Sequence, residues 1–118
     1  MKKKILIADD SKTFLLFEEL LLSELSCDIV KAFNGVEAIQ KVQTEFPDLI
    51  LLDIHMPELN GIECCRIIKG NPVVKRIPVI VVTAHGNEKE LCIKAGCNEV
   101  ITKPVDKKTL LSLVRKYL

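Results

Sequence analysis

The sequence predicts an α/β fold, a five-stranded parallel sheet with helices on both faces. Two observations lead there. Short runs rich in Ile and Val alternate with longer segments of helical period, five times over, which is the pattern of successive strand–helix crossovers. Two of the runs, Leu49-Ile50-Leu51-Leu52 and Val79-Ile80-Val81-Val82, are apolar at every position. A strand with no polar side is buried on both faces, as the centre of a parallel sheet requires.

In chain order, Lys4 to Ala8 reads as the first strand. Ser11 to Leu25 follows as a helix, with Ser11 placed to cap its N-terminus. Asp28 to Phe33 is a second, weaker strand, and Asn34-Gly35 a turn signal. Val36 to Glu45 returns to helical spacing, and Pro47 precedes the third strand, Asp48 to Asp53. Met56 to Asn60 is a loop and Gly61 to Lys69 a helix. Pro78 introduces the fourth strand, which ends at Thr83. Asn87 to Ala95 is a short helix, stopped by Gly96 as a C-cap. Glu99 to Thr102 is the fifth strand, Lys103-Pro104 breaks the chain, and Asp106 to Tyr117 is the last helix. Within the first helix, Phe14, Phe17 and Leu21 share one face, expected to pack on the sheet. Leu15, Leu16, Leu20 and Leu22 cannot all join them, so part of this apolar set is expected at the surface.

No linker, repeat or low-complexity stretch interrupts the 118 residues, which read as one domain over 1–118 with no output domain attached. The net charge of +1 argues against a nucleic-acid surface. Ile5-Leu6-Ile7-Ala8 is too short for the apolar core of a signal peptide, and no run approaches a membrane span. A soluble, cytoplasmic protein is expected. Five cysteines, odd in number and without C-x-x-C spacing, read as reduced thiols that fill space rather than as a disulfide framework or a zinc site.

Sites in open α/β sheets form at the carboxyl ends of strands, where the strand order reverses. The first strand ends in Asp9-Asp10, the third in Asp53, the fourth in Thr83, and the fifth in Lys103-Pro104. Singly, each is an ordinary cap or turn residue. Together they put polar groups at four strand ends on one edge. The order itself cannot be read from the residues, but if the first and third strands are neighbours, three carboxylates meet and require a cation. Oxygen ligands alone favour Mg²⁺ or a similar hard ion. A lysine and a threonine beside them suit phosphate oxygens, and a carboxylate can itself take a phosphoryl group.

With these stretches in place, the chain resembles the receiver domain of two-component response regulators nearly end to end. The matching pieces are Ile5-Leu6-Ile7-Ala8-Asp9-Asp10, Asn34-Gly35, Pro47 through Pro57, Asn60-Gly61, Pro78 through Ala84, Ala95-Gly96 and Lys103-Pro104. The resemblance implies a flavodoxin-like sheet of order 2-1-3-4-5. It implies that Asp53 is phosphorylated by a sensor histidine kinase or histidine phosphotransfer protein, and that the change is passed to a downstream protein target. It implies Mg²⁺ bound by Asp10, Asp53 and the His55 backbone carbonyl, with Asp9 acting mostly through water. Lys103 and Thr83 would contact the phosphoryl group, and the Lys103–Pro104 bond would be cis. His55 and His85 would border the mouth through which water reaches it. A phosphate sink, or an interaction module that never accepts phosphate, are the alternatives. Val100 departs from the pattern, because the family often has an aromatic ring there that couples to the threonine.

Overall fold

The computed structural model describes residues 2–118. Its strands are β1 (Lys3–Ala8), β2 (Cys27–Ala32), β3 (Leu49–Asp53), β4 (Val79–Thr83) and β5 (Glu99–Thr102). They form one sheet of order β2-β1-β3-β4-β5, with every neighbouring pair parallel. The α helices are α1 (Lys12–Leu21), α2 (Gly35–Glu45), α3 (Gly61–Gly70), α4 (Lys89–Lys94) and α5 (Lys107–Tyr117). The strand order implied by the resemblance is the one observed.

Alternation along the strands divides the core into two layers. Leu6, Ala8, Ile50, Leu52, Val79 and Val81 face α2, α3 and α4, whose contributions include Ala38, Val42, Cys64, Cys65, Ile68 and Cys92. Ile5, Ile7, Leu49, Leu51, Ile80 and Val82 face α1 with its C-cap and α5, which supply Leu15, Leu22, Leu110, Leu111 and Val114. All residues of β3 and β4 are buried, as their unbroken apolar runs require. All five cysteines are free thiols. Burial pushes Cys64 up to about 12 and Cys65 up to about 11, which suits inert, apolar packing. Among the described residues, no helix is long and apolar enough to cross a membrane.

The helix starts follow the capping residues. Ser11 Oγ accepts from the Phe14 N–H, Asn60 and Glu63 form a reciprocal capping box, and Asp106 accepts from Thr109. Asn34 is likewise the N-cap of α2, accepting from Glu37 N–H at 2.8 Å, so the turn signal there is also a helix start.

Three expectations need correction. The first helix ends at Leu21, not Leu25, because Ser23 donates back to the Leu20 carbonyl and the chain turns to bring Cys27 beside Lys3. The helix expected from Asn87 starts instead with a 3₁₀ turn, Gly86–Glu88, and becomes α-helical at Lys89. The most buried stripe of α1 is Leu15 and Glu18, continued by Leu22 at its C-cap; Phe14 and Leu21 pack against the same layer partly buried, as expected, but Phe17 does not. Phe17 is exposed, with Leu16 and Leu20 beside it on the surface. The two stripes lie one residue apart around the helix, about 100°, and the packing of α1 on the sheet selects between them.

Candidate functional site

The site is built by the parallel register. Ala8 pairs with Leu52 and Asp53 with Val82, so β1, β3 and β4 end level with one another. Thr83 pairs with Thr102, which sets Lys103 just beyond the same edge. Gly61 keeps the loop after β3 short and tight. Its N–H donates to the Ile54 carbonyl at 2.8 Å, and a Cβ there would stand 2.4 Å from the Asp53 carbonyl oxygen.

Asp9, Asp10 and Asp53 each offer a carboxylate oxygen, all within 4.8 Å of one another. Asp9 and Asp53 are buried and Asp10 is exposed. Lys103 reaches the cluster from β5. Its ammonium nitrogen is 3.4 Å from Asp53 Oδ1 and 3.7 Å from Asp9 Oδ2, and lies 4.1 Å from the centre of the Phe14 ring. Phe14 thus roofs the lysine from the start of α1.

Electrostatics follow from this crowding. Desolvation pushes Asp9 up to about 6, opposed by the Ser11 N–H and assisted by the neighbouring Asp53 charge. Asp53 is raised for the same reason of burial, while Lys103 pulls it back toward the charged form. One Asp9 oxygen accepts from Ser11 N–H at 2.9 Å, which is the ordinary turn role of such a residue. The other, Oδ2, is buried and has no hydrogen-bond partner among the described residues. An orphaned carboxylate oxygen facing two more carboxylates fits a divalent cation, and the all-oxygen donor set fits Mg²⁺.

Thr83 is fully buried at the end of β4, and its hydroxyl is hydrogen-bonded to Glu88 Oε1 at 2.8 Å. The same carboxylate oxygen is 3.1 Å from His55 Nε2. The His55 and His85 rings meet edge to face at 5.4 Å. The Lys103–Pro104 peptide is cis.

All five side chains picked from the sequence for the site, Asp9, Asp10, Asp53, Thr83 and Lys103, therefore end strands on one edge, four of them within one ion-paired cluster. Two acidic residues were not singled out. Glu18 is 2% exposed within α1. Desolvation first, then the Asp9 charge, pushes it up to about 8, against the pull of Lys103. Its signal was available, since 15, 18 and 22 follow helical spacing. Glu88 lies outside any strand-end pattern, and only the fold of the 3₁₀ turn brings it back to Thr83. Against the desolvation that raises it, the bonds from Thr83 and His55 hold its carboxyl below the usual range.

The comparisons agree with this geometry. The family described as the response regulator receiver domain matches residues 5–115. Protein PilG of Pseudomonas aeruginosa is 33% identical over 98% of this chain and 87% of its own length. The alkaline phosphatase synthesis regulator PhoP of Bacillus subtilis is 33% identical over all of this chain, which spans about half (49%) of that protein. Among solved structures, the receiver domain of the sensor histidine kinase PA1611 from Pseudomonas aeruginosa superposes with a TM-score of 0.90 at 25% identity, covering 99% of this chain and 98% of that one. That structure has a magnesium ion coordinated in its active-site cleft. An acidic triad, a lysine and a threonine at the ends of a 2-1-3-4-5 parallel sheet, matched along almost the whole chain, make this protein a member of the response regulator receiver domains of two-component systems.

Proposed function

We propose that this domain, over residues 1–118, is a phosphorylation switch that takes a phosphoryl group on Asp53 from the phosphohistidine of a sensor histidine kinase or histidine phosphotransfer protein. The observation that carries this is Asp53 itself. It is 5% exposed at the end of a fully buried strand, ion-paired to Lys103 and set among two more carboxylates. A buried carboxylate held charged by a lysine is a nucleophile with a partner for incoming phosphate oxygens.

In the transfer, an Asp53 carboxylate oxygen forms a bond to phosphorus as the P–N bond of the donor breaks. The imidazole leaves with the bonding pair and takes a proton from solvent. Lys103, 3.4 Å from Asp53, is placed to pair with the phosphoryl oxygens once they arrive. Thr83 donates its hydroxyl to them. Asp10, Asp53 and the His55 backbone carbonyl would hold Mg²⁺, with Asp9 acting mostly through water. When bound, the ion offsets the repulsion between the carboxylates and the incoming phosphoryl group. His55 and His85, paired at the rim, border the path of attacking water. The phosphorylated state then acts on a downstream protein target, in the cytoplasm, without direct contact to nucleic acid.

The test is reaction with a small acyl phosphate and Mg²⁺. Intact mass should rise by one phosphoryl group, and Asp53→Asn should abolish the gain. Full labelling of that variant would remove Asp53 from the role.

A further inference from the structure

We propose that Glu88 is a latch on Thr83: its carboxylate holds the single proton of the Thr83 hydroxyl, and phosphorylation of Asp53 must break this bond for Thr83 to reach a phosphoryl oxygen. The proposal rests on the reading of Asp53 as the phosphoacceptor.

A hydroxyl has one proton to donate and two lone pairs with which to accept. Thr83 Oγ1 accepts from the His85 N–H at 3.0 Å. For its proton there are two acceptors, Glu88 Oε1 at 2.8 Å and the His85 carbonyl at 3.2 Å. The carboxylate is both nearer and charged, so it takes the proton. The hydroxyl is then committed on both sides and has nothing left to offer a new acceptor.

Glu88 also joins parts of the molecule that move separately if it lets go. It closes the 3₁₀ turn Gly86–Glu88 and leads directly into α4. The oxygen that holds Thr83 also holds His55 in the loop after β3. One carboxylate oxygen therefore ties the end of β4, the loop beyond Asp53 and the entrance to α4. When Thr83 turns toward a phosphoryl group, that tie is lost and the turn before α4 is free to shift. This route from site to helix needs no aromatic ring on β5, where Val100 stands. Glu88 touches Thr83 and not the reacting atoms, so it is a positioning residue. By reciprocity, a partner that binds the released form of α4 raises the equilibrium phosphorylation of Asp53 by the factor by which phosphorylation raises its affinity.

Two measurements test the latch. The first needs no phosphate. In the unphosphorylated protein, three-bond couplings across the Thr83 side chain should report one rotamer in wild type and averaging in Glu88→Ala. A single rotamer in both would overturn the latch. The second is the rate of labelling by acetyl phosphate with Mg²⁺. Glu88→Ala should label roughly three- to tenfold faster, the scale of the net worth of one ordinary hydrogen bond. Glu88→Gln, which keeps an acceptor oxygen but loses the charge, should fall between the two. In a Thr83→Ala background, Glu88→Ala should have no effect. Equal rates in wild type and Glu88→Ala, or the same acceleration with Thr83 absent, would refute the proposal. So would identical rates in Glu88→Ala and Glu88→Gln, because loss of negative charge alone would then explain the gain. Absence of any labelling in wild type would instead remove Asp53 as acceptor, and the rotamer measurement would still decide the latch.

Discussion

Glu18 occupies the buried stripe of α1 between Leu15 and Leu22, where an apolar side chain would complete the layer. Desolvation and the neighbouring Asp9 raise it to about 8 from an ordinary value of 4.5, so it is largely protonated in the folded protein at neutral pH. The unfolded chain gives up this proton near 4.5, while the folded chain keeps it until about 8. Between those values the native state binds more protons than the unfolded state, and stability falls as pH rises. Each tenfold difference in proton affinity is worth about 1.4 kcal/mol, so the loss across the window is on the order of 5 kcal/mol. Glu18→Gln removes it. In metal-free buffer, wild type and variant should unfold at similar urea concentrations at pH 4.5, and the variant should be clearly more stable at pH 8.5. A constant difference between the two proteins across this range would show that Glu18 does not hold the proton. Asp9 and Asp53 contribute slopes of the same sign in both proteins, so the difference between them reads Glu18 together with its coupling to those two carboxylates.

At the scale of one element, α3 carries a glycine at each end, and the two have opposite meanings. Gly61 starts the helix against β3, with the Asp53 carbonyl oxygen 2.4 Å and the Ile54 Cα 2.9 Å from where a Cβ would stand. Both neighbours are backbone, so neither can swing aside. Gly70 ends the helix with nothing among the described residues within 4 Å of its Cβ position. Gly70→Ala should therefore stabilise the protein by about 0.5–1 kcal/mol, through the unfolded state and helix propensity. Gly61→Ala should destabilise it by roughly 1–3 kcal/mol despite the same gain in propensity, because the helix must back away from the strand. It should also slow labelling of Asp53, whose main chain is the surface it pushes. Thermal melts and labelling rates of the two variants check the contrast. A Gly61→Ala protein as stable and as reactive as wild type would show that the loop gives way freely.

For the molecule as a whole, the sheet order concentrates negative charge at one edge, and the fold bears that repulsion when no cation is present. Two consequences are opposite in sign. Mg²⁺ should raise the melting temperature, by about 2.7 kcal/mol of added stability at a hundredfold excess over its dissociation constant. Asp10→Asn should raise the metal-free melting temperature, by relieving repulsion with Asp9 and Asp53, and at the same time remove most of the Mg²⁺ response. Melts with and without Mg²⁺ in both proteins read the two effects separately. An undiminished Mg²⁺ response in Asp10→Asn would move the ion away from the triad.

The sequence by itself determined the five strand–helix units and the edge on which the chemistry lies. Hydrophobic period and capping residues are local signals, and a parallel crossover leaves every strand pointing the same way. Asp9, Asp10, Asp53, Thr83 and Lys103 were legible because each closes an apolar run. Family resemblance, not residue pattern, supplied the strand order that makes the three aspartates neighbours, and the pairing of β1 with β3 bears it out. Only the tertiary structure decided which stripe of α1 is buried. Stripes 15-18-22 and 14-17-21 are both helical in spacing, and the sequence favoured the more apolar one. Packing against the sheet turned the helix so that a glutamate is hidden, Phe14 and Leu21 are only partly buried, and Phe17 is left at the surface. Only the tertiary structure, too, joined Glu88 to Thr83 and His55, the latter 33 residues away from it in the chain. A side-chain hydrogen bond depends on how a short turn closes in space, and no periodicity in the sequence records that.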